Sequence, residues 1–316
     1  MEFHTKIPLQ KQAFNQIDYH SKIFLLGSCF SENIAEKFSY FKFQSLVNPF
    51  GILFHPKAIE TFINNVINEK EYTEADLFYH NELWQSFETH SRLSYHSKEE
   101  LLVTLNGLVK ESYQFLREAS HVVLTFGTSW IYRFIETDSF VANCHKLPQK
   151  NFLKELFSVD HLQESLEAID ALIRSINPEV VIINTVSPVR HIKDGFVENT
   201  QSKSHIIAAI HQIVNANKHQ YYFPSFEIMM DELRDYRFYT ADMLHPNDVA
   251  IHHIWERFKL VWISDNAHLI LDEIDAIQKG IAHKAFHPES DAHQMFLKQL
   301  NDKKTQIESR FPHINF

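Results

Sequence analysis

The feature that most constrains this chain is a recurring one. A short apolar run stops at a glycine and is followed by residues spaced for one face of a helix. Lys22–Leu26 reads KIFLL and meets Gly27, and His121–Phe126 reads HVVLTF and meets Gly127. After the first run, Phe30, Ile34 and Phe38 recur at helical spacing. Strands that are apolar throughout are buried on both faces, and strands alternating with helices build a parallel sheet with helices on either side.

The remaining pattern extends that reading. Phe43–Val47 predicts a second strand, ended by the turn-like NPFG at Asn48–Gly51. His55-Pro56 opens a helix carrying Ile59, Phe62, Ile63, Val66 and Ile67, and Ser97 with Glu100 forms an S-x-x-E capping box before Leu101. Trp130–Cys144 reads as an inserted hairpin with its turn at Thr137–Ser139. Asp160 with Gln163 starts a helix, the fully apolar Val180–Ile183 is a fourth strand, and a helix with Ile206, Ile210 and Ile213 follows Gly195. Tyr221–Phe223 is a fifth strand, and Asn247 is placed to cap a helix bearing Ile251, Ile254, Trp255 and Phe258. Beyond Asp265 the pattern is helical and polar, so the division expected is residues 1–264 as a catalytic domain and 265–316 as a helical extension packed on it.

Composition narrows the function classes. A net charge of −10 with no dense Lys/Arg run argues against nucleic-acid binding, which needs a concentrated basic face. No apolar stretch approaches the ~18 residues of a membrane span, and MEFHTKIPLQKQ at the N-terminus lacks the apolar run of a signal peptide. Two cysteines, Cys29 and Cys144, are too few for a disulfide framework, so a reducing cytoplasm is the expected setting.

Ligands of open parallel sheets bind outside the carboxyl ends of the strands, so the residues after each strand are the candidates. These are Gly27-Ser28-Cys29, Asn48–Gly51, Gly127-Thr128-Ser129, Thr185–Ser187 and Asp242–His245. A carboxylate three residues before a histidine suits an orienting pair, with Asp242 setting the tautomer of His245 and stabilising its charged form. A polar turn with a capping role has the same spacing. Ser28 and Cys29 stand where a nucleophile meets the N–H groups of a helix start, or where Ser28 is an N-cap and Cys29 a small buried residue. Gly51 and Gly127 are candidate sources of oxyanion-hole amides, or simple turn glycines. In Asn143-Cys144-His145 the side-by-side Cys and His lack any partner at zinc spacing, so neither metal nor cofactor is expected. Arg190-His191 reads as polar lining and His252-His253 as a solvated helix face.

Several longer segments occur together. LLGSCFSENIAEKF at Leu25–Phe38, NPFGILFHP at Asn48–Pro56, SPVRHIKDG at Ser187–Gly195 and YFPSFEIMMDELRDYRFYTADMLHPN at Tyr222–Asn247 resemble the GSCFA-domain proteins, as does AFHPESDAHQMFLKQL at Ala285–Leu300. These are bacterial proteins grouped with the SGNH/GDSL hydrolase superfamily. The resemblance implies a three-layer α/β/α, flavodoxin-like SGNH-hydrolase fold with a central parallel sheet of about five strands. It implies an esterase or acyltransferase acting on a small-molecule or carbohydrate ester, with Ser28 or Cys29 as nucleophile and Asp242 and His245 as the acid–base pair. Asn48, Gly51, Gly127, Ser129, His145 and Arg190 complete the expected oxyanion and substrate-binding set. Two departures stand out: the serine of GDS-type enzymes aligns with Cys29 while Ser28 takes the aspartate's place, and Ser129 occupies the position of an oxyanion-hole asparagine.

Overall fold

The computed structural model describes residues 5–316; the first four residues of the N-terminal segment read above for a leader lie outside them. Five parallel strands form the central sheet: β1 (Lys22–Gly27), β2 (Gln44–Val47), β3 (His121–Phe126), β4 (Val181–Val186) and β5 (Gln220–Tyr222). They lie in the order β2-β1-β3-β4-β5. The chain first steps outward from β1 to β2, then returns to lay β3 on the other side of β1. The two winding directions therefore part between β1 and β3, which is where a doubly wound sheet opens a crevice at its carboxyl edge.

The side-chain period of two explains why both faces are covered. Ile23 and Leu25 of β1, with Val123, Val181 and Ile183, face one core. That core is closed by helix α1 (Cys29–Tyr40), α6 (Asp248–Trp262), α7 (Asp265–Ala282) and α8 (Asp291–Arg310). Phe24 and Leu26, with Val122, Leu124, Phe126 and Ile182, face the other. There α2 (Pro56–Ile67), α3 (Lys98–Glu118), α4 (Val159–Ile176) and α5 (Phe196–Ala216) cover them. The result is a three-layer α/β/α arrangement. The C-terminal helices share the first core directly, since Ile274, Ile277, Ile307, Phe311 and Ile314 are buried in the same cluster as Ile23 and Leu25. Among the described residues no helix is long and apolar enough to cross a membrane.

Differences from the sequence-based reading have local causes. The capping pattern at Ser97 is half realised: its hydroxyl accepts from Glu100 N at 3.1 Å, but it donates to Glu99 Oε2 rather than forming the reciprocal box. The helix expected from Asp160 starts at Val159 because Ser158 is its N-cap. Strand β4 continues past Ile183 through Asn184 and Thr185, whose polar side chains are buried and bonded to neighbours rather than to water. The insertion is larger than a hairpin. Trp130–Phe134 pairs with Ser139–Val141 and also with Phe152–Leu156, and a separate hairpin joins Phe78–His80 to Leu83–Gln85. Strands of three to five residues without clear alternation carry little periodic signal.

Candidate functional site

The carboxyl edge of the sheet gathers four loops. Gly27 ends β1 with φ +143°, a conformation open to glycine, and a Cβ there would lie 2.2 Å from Thr125 O. Its N–H donates to Asn48 Oδ1 at 2.8 Å, and its carbonyl accepts from Leu53 N at 3.1 Å, so the loop after β2 is tied across the end of β1. The loop after β3 is tied in turn by Gly127 N donating to Phe54 O at 2.7 Å. A side chain on Gly127 would meet Phe54 Cβ at 2.9 Å and His191 Nε2 at 3.0 Å, so this glycine lets the loop after β4 close on the same place. That loop is joined to the last one by Arg190 N donating to Leu244 O at 3.2 Å.

Ser28 and Cys29 differ sharply in this setting. Ser28 is buried (1% exposed) and is the N-cap of α1, its Oγ accepting from Phe30 N at 3.3 Å. Cys29 is the first helical residue, half-buried with a free thiol. Burial pushes that thiol's pKa up and Glu32 adds to the effect, whereas the N–H groups of Cys29 and Phe30 and the ammonium of Lys203 favour the thiolate.

Asp242 and His245 form the expected pair. His245 Nδ1 lies 2.6 Å from Asp242 Oδ2. Asp242 Oδ1 accepts from Thr240 Oγ1 at 2.7 Å, Leu244 N at 2.8 Å and His245 N at 3.0 Å. The Thr240 hydroxyl foremost, then these N–H groups, hold the carboxyl well below the usual carboxylate range. Met243 inside this loop takes φ +60°, an uncommon conformation for a side chain of its length. With Nδ1 committed to the carboxylate, Nε2 is the ring atom left for proton transfer.

The oxyanion candidates are mostly spent. Gly51 N donates to Asn48 O at 2.7 Å, and Gly127 N is used on Phe54 O. Ser129 is fully buried and its hydroxyl donates to Ser202 O at 3.2 Å, locking the loop to α5. Asn48 keeps a donor: Oδ1 holds Gly27 N, and Nδ2 is buried without a partner among the described residues. His145 lies in the insertion, where its Nε2 is 2.8 Å from Ser86 O and its ring packs edge-on against Phe78 and Phe87. It is not joined to Asp242 and His245. Among the described residues no group of three or more His, Cys, Asp or Glu is arranged to hold a metal ion.

Two residues carry more weight than their sequence context suggested. His191, read as polar lining, is half-buried, its ring stacked on Phe54 with centroids 5.8 Å apart and its Nε2 buried without a partner among the described residues. Burial, with the charges of Lys203 and His245 adding, lowers its pKa to about 3, so the ring is neutral. Lys203 was not singled out at all. It is 2% exposed, donates to Ser187 O at 2.7 Å, and is pushed down to about 7 by burial, with Cys29 opposing and Arg190 adding. The signal was available: Lys203 falls three residues before Ile206 on the apolar stripe of α5, where Asn199 and Ser202 are also buried. On the helix face expected to be solvated, His252 is exposed and His253, partly exposed, lies 2.6 Å from Glu232 Oε2, while Glu232 Oε1 meets Arg257 at 3.1 Å.

Beside Asp242 a cleft of about 580 Å³ opens between the loop after β4 and the segment leading to His245. A second cleft, of about 410 Å³, lies on the insertion side, lined by Phe54, Cys144 and Lys193 among others.

Fold and rim together describe a doubly wound α/β protein that carries a carboxylate–imidazole pair and a helix-start cysteine at its switch-point edge. The chain belongs to the GSCFA family, whose model matches residues 22–258. The model of the GSCFA domain protein, C-terminal domain, matches residues 274–316. No curated protein matches the chain.

Proposed function

We propose that the protein is an SGNH-type esterase or acyltransferase, acting on a small acyl ester such as an acetylated carbohydrate, with Cys29 as nucleophile. The observation that carries this reading is the 2.6 Å contact between His245 Nδ1 and a fully hydrogen-bonded Asp242, on the same sheet edge as Cys29. The strand order supports it, because the winding direction changes between β1 and β3, and Cys29 begins α1 just after β1. The GSCFA match supports it through the family's grouping with the SGNH superfamily.

In this scheme His245 Nε2 takes the Cys29 proton and the thiolate attacks the ester carbonyl. Asp242 holds the ring in the required tautomer and stabilises the imidazolium. The carbonyl oxygen becomes an oxyanion beside the Cys29 N–H, since the next two N–H groups of α1 are taken by Ser28, with the unpartnered Asn48 Nδ2 beside Gly27 as the side-chain donor. Collapse expels the alcohol, which takes the proton from His245, and leaves a thioester on Cys29. Water or a second hydroxyl, deprotonated by His245, then removes the acyl group. Ser28 serves α1 as its cap. The two free cysteines fit a cytoplasmic setting.

The test is turnover of 4-nitrophenyl acetate and acetylated sugars by the wild type and by Cys29→Ala, Ser28→Ala, Asp242→Asn and His245→Ala. Loss of about 10³-fold or more is expected for Cys29→Ala and His245→Ala. Ser28→Ala is expected to keep most turnover while losing about 1 kcal/mol of stability. Full activity in His245→Ala or Cys29→Ala would overturn the scheme. The spent amides of Gly51 and Gly127 and the locked Ser129 favour one alternative, a non-catalytic relative binding a glycan or acyl ligand. Absence of turnover by the wild type, with binding of such a ligand retained, would establish it.

A further inference from the structure

Among the described residues, the cleft beside Asp242 leaves one of its ionised side chains without an ionic partner. Four ionised side chains line it, and three are bonded to side-chain partners of their own. Arg234 meets Asp231 at 2.8 Å, Asp235 meets Arg237 at 3.1 Å, and Asp242 meets His245 at 2.6 Å. Arg190 is the exception. It is half-buried, and among the described residues no carboxylate lies within ion-pair distance of it. Its Nη2 is 2.9 Å from Met230 Sδ, a weak acceptor for a group with five N–H donors. A second cation, Lys203, is fully buried nearby and likewise has no acidic partner, only the carbonyl of Ser187.

Withdrawing a guanidinium from water without a counter-ion is costly, and in a chain of net charge −10 there is no shortage of carboxylates to place beside it. The planar fork of an arginine matches carboxylate, phosphate and sulfate groups. Its place is set by its backbone bond to Leu244 O, one residue before His245. Besides the paired ions the lining is largely apolar or aromatic, with Met229, Met230, Phe196 and Met243 among it.

We propose that Arg190 binds an anionic group of the substrate, so that the ester acted on at Cys29 carries a carboxylate, phosphate or sulfate on a body seated in this cleft. The catalytic half of this statement rests on the acyl-transfer reading above; the anion site does not.

A matched pair of acetyl esters separates the two. With 4-acetoxybenzoate and its neutral analogue 4-acetoxybenzamide, the wild type is expected to favour the anion in kcat/KM by about tenfold or more. Arg190→Gln is expected to bring that ratio close to one, and Arg190→Lys to restore part of it. An unchanged ratio in Arg190→Gln, or a wild-type preference for the neutral ester, would overturn the proposal. Calorimetric titration with benzoate and with inorganic phosphate gives the arm independent of turnover. Binding to the wild type, weakened about tenfold or more in an Arg190→Gln protein of unchanged urea midpoint, supports the site. Titration also shows which anion is preferred. If no ester is turned over, the acyl-transfer reading fails, and the anion site stands or falls on this titration: no binding, or binding indifferent to Arg190, overturns it.

Discussion

Lys203 shows how a single side chain converts a helix face into part of a site. The stripe Ile206, Ile210, Ile213 belongs to the core, and continuing it backward places an ammonium where an aliphatic chain is expected. Burial lowers its pKa to about 7, and its charge reaches Cys29, where it favours the thiolate. The sign is fixed: removing a positive charge from beside a thiol raises the thiol's pKa. Lys203→Met is therefore expected to move the pH midpoint of Cys29 alkylation by iodoacetamide upward, with Cys144→Ser as background so that one thiol is read. A midpoint that stays in place would remove Lys203 from the site. The same variant replaces a buried charge by an apolar chain of similar length, so its urea midpoint is expected to hold or rise. At this scale the sequence marked Asp242 and His245 well, because their partnership is local. It left Ser28 and Cys29 open, because which of them caps the helix depends on where α1 begins.

Elements meet the site through their ends. Gly27 and Gly127 let neighbouring loops cross the ends of β1 and β3, and Gly27 is the tighter case. Gly27→Ala combines a backbone angle unsuited to alanine with a Cβ 2.2 Å from the Thr125 carbonyl, which is backbone and cannot swing away. A loss of about 3 kcal/mol or more in urea-derived stability is expected, with a larger fall in Cys29 reactivity than stability alone explains, because the start of α1 shifts. Wild-type-like stability would show that the β1–β3 junction is far looser than described. The long elements were readable from periodicity: β3 runs from His121 to Phe126 as the apolar run does. The short antiparallel strands of the insertion were not. Their side chains pack in aromatic contacts such as Phe87 with Phe134, formed between segments distant in sequence.

For the whole molecule, the question raised by the sequence is whether residues beyond 264 are an appendage. Ile270, Leu271, Ile274, Ile277, Ile307, Phe311 and Ile314 are all buried in the core that covers one sheet face. Removing them forfeits roughly 10–20 kcal/mol of burial at ~1.5–3 kcal/mol each, comparable with the entire stability of a domain. A chain ending at Ser264 is thus expected to lack a cooperative calorimetric transition; a sharp transition near the full-length Tm would make these helices an appendage after all. The sequence by itself determined the fold class, the order of the five sheet strands along the chain and the Asp242–His245 pair, because apolar period and short-range spacing act within one segment. The tertiary structure decided that Ser28 caps α1, which amides are already spent, and that His191, Lys203 and Arg190 lie close together. Those outcomes depend on hydrogen bonds and burial between loops distant in sequence, such as Gly127 against His191 and Gly127 N on Phe54 O, which no local pattern encodes.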